Sequence, residues 1–191
     1  MNDFQSICIL GRQPAIGRAE LESLLGADKL LAFGEHVLLS TPAEEIPFKR
    51  LGGTLKVARI LTELPSPKWN NIEKYLVLNV PKQLSHLPDG KFTLGLSVYG
   101  IDIGVNQINK TNLKLKKIIK ANGRAVRVVP NKEMALNTAQ VLHNKLTHRG
   151  AWELIIVSDG HKIYLAQTLF VQDITAYAQR DQARPKRDSV V

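Results

Sequence analysis

Between Lys110 and Arg127 the chain carries seven basic residues (Lys110, Lys114, Lys116, Lys117, Lys120, Arg124, Arg127) and no acidic one. The chemistry such a run suits is neutralisation of phosphates. At about 100° per residue, Leu115, Ile118 and Ile119 share one arc of a helix and the five lysines fan over the other. A solvated lysine face on an ordinary amphipathic helix explains that pattern by itself. Two further features point to a polyanionic partner. No glutamate is interspersed for i, i+4 pairing, and the positive run continues through Lys132, Lys145, Arg149 and the tail Arg180, Arg184, Lys186 and Arg187. Uncompensated charge on one domain costs self-repulsion that a polyanion relieves. Arg127 alternates with apolar Val126 and Val128, so it points off the strand's opposite face.

Bond-breaking chemistry finds no footing. Gly11 and Gly17 have five residues between them and Arg18 next, which is not the spacing of a phosphate-cradling P-loop. Gly95, Gly100 and Gly104 miss the G-x-G-x-x-G turn of a dinucleotide site. His143 and His148 are five apart and lie on different faces of a helix, poorly placed to share zinc. Asp181 and Asp188 fall in a stretch without periodicity. The reading is a binding module with no catalytic, cofactor or metal residues of its own.

Composition agrees with a soluble globular protein: 191 residues, 44% hydrophobic and 23% charged. The formal net charge of +9 is unevenly spread. Residues 1–90 hold 10 basic and 10 acidic side chains, whereas residues 91–191 hold 16 and 7. Two units with different duties are expected. Cys8 is the only cysteine, which excludes an intrachain disulfide and suits a reducing, cytoplasmic setting. Flanked by Ile7 and Ile9, it reads as a small buried strand residue. The start MNDFQSICIL lacks the basic flank of a signal peptide. No run approaches the roughly 18 apolar residues of a membrane helix, so no membrane is expected.

The elements that must position the basic residues follow from periodicity and punctuation. Strands are predicted at Ser6–Leu10, Val37–Ser40, Thr54–Leu61, Phe92–Tyr99 and Ala125–Val129. Two more, Trp152–Val157 and Lys162–Phe170, join around Asp159-Gly160, a hairpin signal. Helices are predicted at Arg12–Leu25, Ile46–Leu51, Trp69–Leu78 and Lys110–Ala121, and over Lys132–Leu146 on a stripe of Ala135, Ala139, Leu142 and Leu146. Leu64-Pro65-Ser66-Pro67 is the candidate linker. The fold class is α+β. Aromatic residues are 6% of the chain and do not cluster on the strands, which favours backbone and shape recognition of RNA over stacking on a sheet. Trp152 reads as a core residue.

Three segments carry a family resemblance: RLGGTLKVARIL (Arg50–Leu61), LKKIIKANGRAVRVVPNKEMALNTAQVLHNKL (Leu115–Leu146) and TLFVQDITAYAQRDQARPKRD (Thr168–Asp188). In this order they resemble the front half of THUMP-containing tRNA guanosine N2-methyltransferases. The resemblance implies a ferredoxin-like N-terminal domain over residues 1–66 and a THUMP RNA-binding domain over 67–170. Residues 171–191 would then be a linker toward the protein's own C-terminal methyltransferase domain. It implies tRNA as the partner, gripped at its acceptor end. Lys114, Lys117, Lys120, Arg124, Arg127, Lys132, Lys145 and Arg149 are the expected RNA contacts. Family members continue past an Arg-Pro-x-Arg-Asp segment into a Gly-rich cofactor loop and an Asn/Asp-Pro-Pro-Tyr-like motif. Neither occurs in residues 1–191, so S-adenosylmethionine is expected to belong to a domain beyond Val191. Two alternatives are the THUMP half of a thiouridine synthetase and a stand-alone, non-catalytic RNA-binding adaptor.

Overall fold

Short apolar runs cut by glycine and proline assemble one eight-stranded sheet in the order β2-β3-β1-β4-β8-β7-β5-β6. The computed structural model describes residues 4–176 and Gln179. The strands are β1 (Ser6–Leu10), β2 (Leu30–Phe33), β3 (His36–Leu39), β4 (Thr54–Leu64), β5 (Phe92–Tyr99), β6 (Val126–Val128), β7 (Ala151–Ser158) and β8 (Ile163–Val171). The helices are α1 (Pro14–Leu25), α2 (Trp69–Gln83), α3 (Val105–Ala121) and α4 (Thr138–His143). The α+β class read from the sequence holds.

In the first part β1 lies antiparallel between β3 and β4, and β2 pairs with β3. Order β2-β3-β1-β4 with α1 on the connection is the arrangement of a βαββαβ unit. Its second helix is reduced to 3-10 turns at Ala43–Glu45 and Phe48–Arg50, where the sequence predicted a short helix over Ile46–Leu51. The sequence reading also missed β2, whose four residues LLAF lack polar alternation. The LGGT segment has a steric explanation. A Cβ on Gly53 would lie 2.6 Å from the Gly17 Cα, so only glycine lets this turn press against α1. The Gly52 and Gly53 amides donate to the Glu20 carboxylate, the latter at 2.7 Å. Cys8 is fully buried, and burial pushes its thiol well above the ordinary range.

Strand β4 pairs with β1 along one edge and β8 along the other. Beyond it β5 lies parallel to both β6 and β7, and the β7–β8 hairpin turns at Asp159-Gly160 as expected. Phe92, Leu94, Leu96 and Val98 of β5 face α2 and α3, joined there by Ile72, Leu76, Leu115 and Ile119. On the other face the sheet curls, bringing β2 against β8 and β3 against β5. Phe33 of β2 lies 6.4 Å from Tyr164 of β8, and His36 of β3 lies 5.2 Å from Tyr99 of β5, ring centre to ring centre.

A buried polar cluster ties these strands together. Lys56 of β4 donates to Glu153 of β7 at 2.5 Å and to the Leu136 carbonyl at 2.6 Å. Ser97 of β5 and Thr168 of β8 each donate to the same carboxylate at 2.6 Å. Glu153 is 0% exposed and Lys56 2%.

The long helix predicted over Lys132–Leu146 is a correction: only Thr138–His143 is helical. Asn137 and Gln140 form a capping box that starts the helix there. Residues before it are held otherwise: the Leu136 amide donates to Ser97, and the Met134 carbonyl accepts from Val98. Ala139 of the supposed apolar stripe is exposed, and Val141 and Leu146 are the buried residues. Two helices run longer than predicted, α2 to Gln83 and α3 from Val105.

Candidate nucleic-acid interface

Because β5, β6 and β7 are parallel, the segments that enter them lie at one end of the sheet. Helix α3 descends to that end, and α4 leads back to it through residues 144–150. This topology gathers Lys120 in the last turn of α3, Arg124 in the α3–β6 turn, and Lys145 and Arg149 before β7. Lys117 stands one turn earlier on α3. Arg127 is the middle residue of the edge strand β6 and is exposed, as its alternation predicted. The carbonyl ends of α2 and α3 also point here, so positive potential must come from side chains alone. Lys91, between the Asp89-Gly90 turn and β5, joins the group and was missed in the sequence. Its only signal is its place at the entry to a parallel strand. A cleft of about 640 Å³ at this end is bounded by Ser85, Asp89, Lys91, Asn122 and Arg124.

The expected contacts divide by what they already hold. Lys117, Lys120, Arg127, Lys132, Lys145 and Arg149 are exposed and have no ion pair among the described residues. Lys114 is bound to Glu73 at 2.7 Å. Hydrogen bonds from Lys114 and Thr111 hold the Glu73 carboxyl below its ordinary value. Arg124 donates to the Leu84 carbonyl at 2.6 Å and to the Pro88 carbonyl, with its guanidinium 6.0 Å from the Phe92 ring centre. It clasps the loop after α2 to the α3–β6 turn. Lys132 follows the far end of β6 and is not brought together with the others. Lys145 has φ +52°, a left-handed backbone that side chains other than glycine adopt at a cost. The tail residues Arg180, Arg184, Lys186 and Arg187 lie outside the described residues.

Among the described residues no group of three His, Cys, Asp or Glu could hold a metal ion, and no helix is long and apolar enough to cross a membrane. Gly95 and Gly100 serve packing, whereas Gly104 has open space beside it. A Cβ on Gly95 would meet Leu136 at 2.5 Å, and one on Gly100 would meet the Ser158 carbonyl at 2.7 Å. The space at Gly95 and Gly100 is filled by the protein's own atoms and offers no cradle for S-adenosylmethionine.

An α+β protein with a curled sheet and a basic strand-entry end is thus defined. Its fold is similar to that of TrmN from Thermus thermophilus, with a TM-score of 0.50 and 12% identity over 88% of this chain and 46% of that one. PH1313 from Pyrococcus horikoshii Ot3 aligns at a TM-score of 0.47 and 10% identity, covering 86% of this chain and 53% of that one. A 4-thiouridine synthetase, in a complex with RNA and bound ATP, aligns at 0.46 and 14%, covering 86% and 41%. The chain spans about half the length of the TrmN chain. No family model and no curated protein sequence matches.

Proposed function

We propose that this chain is the tRNA-binding portion of an S-adenosylmethionine-dependent tRNA (guanine-N2) methyltransferase. Residues 1–66 act as a ferredoxin-like spacer, residues 67–170 as a THUMP domain that grips the acceptor end of tRNA, and residues 171–191 as a linker to the methyltransferase domain. The carrying observation is the set of exposed, unpaired cations at the strand-entry end: Lys117, Lys120, Arg127, Lys145 and Arg149. The fold shared with TrmN supports the reading. So does the charge distribution, with the entire +9 excess in the second half of the sequence. Methyl transfer belongs, on this reading, to the further domain, and this chain supplies grip and orientation.

The test is salt dependence. Replacing Lys117, Lys120 and Arg127 by alanine weakens tRNA binding, and each lost phosphate contact takes about 1 off the slope of log K against log salt. An affinity and slope equal to the wild type would remove this end of the sheet from the interface.

A further inference from the structure

Helix α2 covers β5 and β7 but leaves a cleft of about 340 Å³ between itself and strands β4, β8 and β7. Sheet register builds its floor. Arg59 of β4 stands opposite Gln167 of β8, and Gln167 stands opposite Leu154 of β7. Leu165 of β8 and Trp152 of β7 follow two residues along on the same face, and Leu61, unpaired at a register shift in β4, completes the lining. The wall is one stripe of α2, Tyr75, Asn79 and Gln83 at i, i+4 and i+8. Leu154 and Leu165 are buried beneath, while Trp152 is half-buried and stands edge-on to Phe92 at 5.0 Å. The expectation of a core tryptophan is only half met: one side of the indole is left to the cleft.

The free polar atoms are complementary. Asn79 spends its amide N–H on the Tyr75 carbonyl at 2.9 Å, which leaves its Oδ1 as an acceptor. Gln167 accepts from Arg59 at 3.3 Å through Oε1, which leaves its Nε2 as a donor. Gln83 has no partner among the described residues and offers both. Arg59 is exposed at the rim, its other contact a 3.3 Å pair with Glu44.

We propose that this cleft is a pocket for one unpaired nucleobase of an RNA strand. Tyr75 and Trp152 supply aromatic surface for the ring to stack on, and carboxamides that both donate and accept meet its edge. An aliphatic ligand would leave the three carboxamides unmatched, and the strongly basic chain selects a polyanion as the carrier of the base. The inference rests on the RNA-binding reading for that source. It also qualifies the sequence expectation against stacking: the two rings come from a helix and a strand 77 residues apart, so no cluster was visible along the chain.

The experiment follows the two indole N–H resonances of the whole chain, since buried Trp69 donates to Thr111 at 3.2 Å and serves as an internal control. A short single-stranded RNA is expected to shift Trp152 and leave Trp69 in place, and to bind more tightly than nucleoside monophosphates. Asn79→Ala with Gln167→Ala is expected to lower the ratio of single-strand to duplex affinity about tenfold with an unchanged urea midpoint. A Trp152 resonance indifferent to the strand, or an unchanged ratio in the variant, overturns the pocket. Mononucleotide binding as tight as the strand's overturns RNA as its source. If the strand still shifts Trp152 while the alanine variant of Lys117, Lys120 and Arg127 leaves tRNA affinity and salt slope unchanged, the pocket stands and the basic end falls.

Discussion

Lys56 and Lys120 are the same residue type put to opposite uses. Lys56 is enclosed in the sheet with a carboxylate, a carbonyl and a hydroxyl around its ammonium. Lys120 stands in solvent at the end of α3 with no ion pair among the described residues. The first charge is consumed by the fold and the second is left over. A side chain is free to meet RNA only if the fold does not already hold its donors. By that criterion Lys114 and Arg124 belong with Lys56, although the sequence groups them with Lys120.

The sharpest way to break this division is at Glu153. Replacing it by alanine leaves the Lys56 ammonium buried without its partner, and such a loss destabilises by about 3–5 kcal/mol. The double replacement Lys56→Met with Glu153→Leu removes both charges and should recover part of that, the remainder being the cost of the Ser97 and Thr168 hydroxyls and the Leu136 carbonyl left without partners. Urea unfolding of the two variants and the wild type measures the effect. A single variant within about 1 kcal/mol of the wild type would mean that the cluster does not hold the strands together.

Arg124 sharpens the comparison from the other side. Arg124→Ala removes two hydrogen bonds from a charged donor and should cost about 1–3 kcal/mol of stability. Lys120→Ala touches nothing, so its stability should change by less than about 0.5 kcal/mol. The salt slope of RNA binding should fall in the Lys120 variant and hold in the Arg124 variant. The reverse pattern would return Arg124 to the interface.

How legible this division was depends on the range of the interactions. Phe92–Tyr99 and the Asp159-Gly160 hairpin were read correctly because alternation and turn chemistry are local. Arg127 was placed on the strand's opposite face for the same reason. Lys56 is one polar position within the strand predicted over Thr54–Leu61, and its partner Glu153 lies 97 residues away. The Lys132–Leu146 helix failed because Ser97, Val98 and Lys56, all distant in sequence, claim the backbone groups of Met134 and Leu136. Periodicity registers what a segment prefers alone, and here tertiary hydrogen bonds override it. Of the predicted contacts, the exposed ones were legible as charge. Which of them were already matched was not.

Lys145 tests whether an unpaired cation is kept at a cost. Its φ of +52° suits glycine, so Lys145→Gly should stabilise the protein by about 1 kcal/mol. The same change removes a charge at the strand-entry end and should weaken tRNA binding. A stabilised variant with undiminished affinity would mark the residue as a strained turn with no role in binding.

The smallest effect lies where the curled sheet brings β3 against β5. His36 stacks on Phe33 at 5.4 Å and meets Tyr99 edge-on. Burial holds its imidazole below the ordinary value of about 6.5, against the opposing pull of the Phe33 backbone and Glu35. Tyr99 is held high by the same burial, with Glu153 and Glu35 adding to it. The unfolded chain therefore takes up its His36 proton before the folded one does. Stability from this residue is complete above about pH 6.5 and declines as pH falls toward the folded-state value. His36 is only partly enclosed, so the decline should stay within about 1 kcal/mol. The other four histidines are exposed, and Glu73 and Asp159, whose carboxyls are held low, titrate below this window. Comparing urea midpoints at about pH 7.5 and 5.5, wild type against His36→Phe, isolates the term. A parallel loss in both proteins would mean that the junction tolerates a charged imidazole, and that the sheet is not sealed where β3 meets β5.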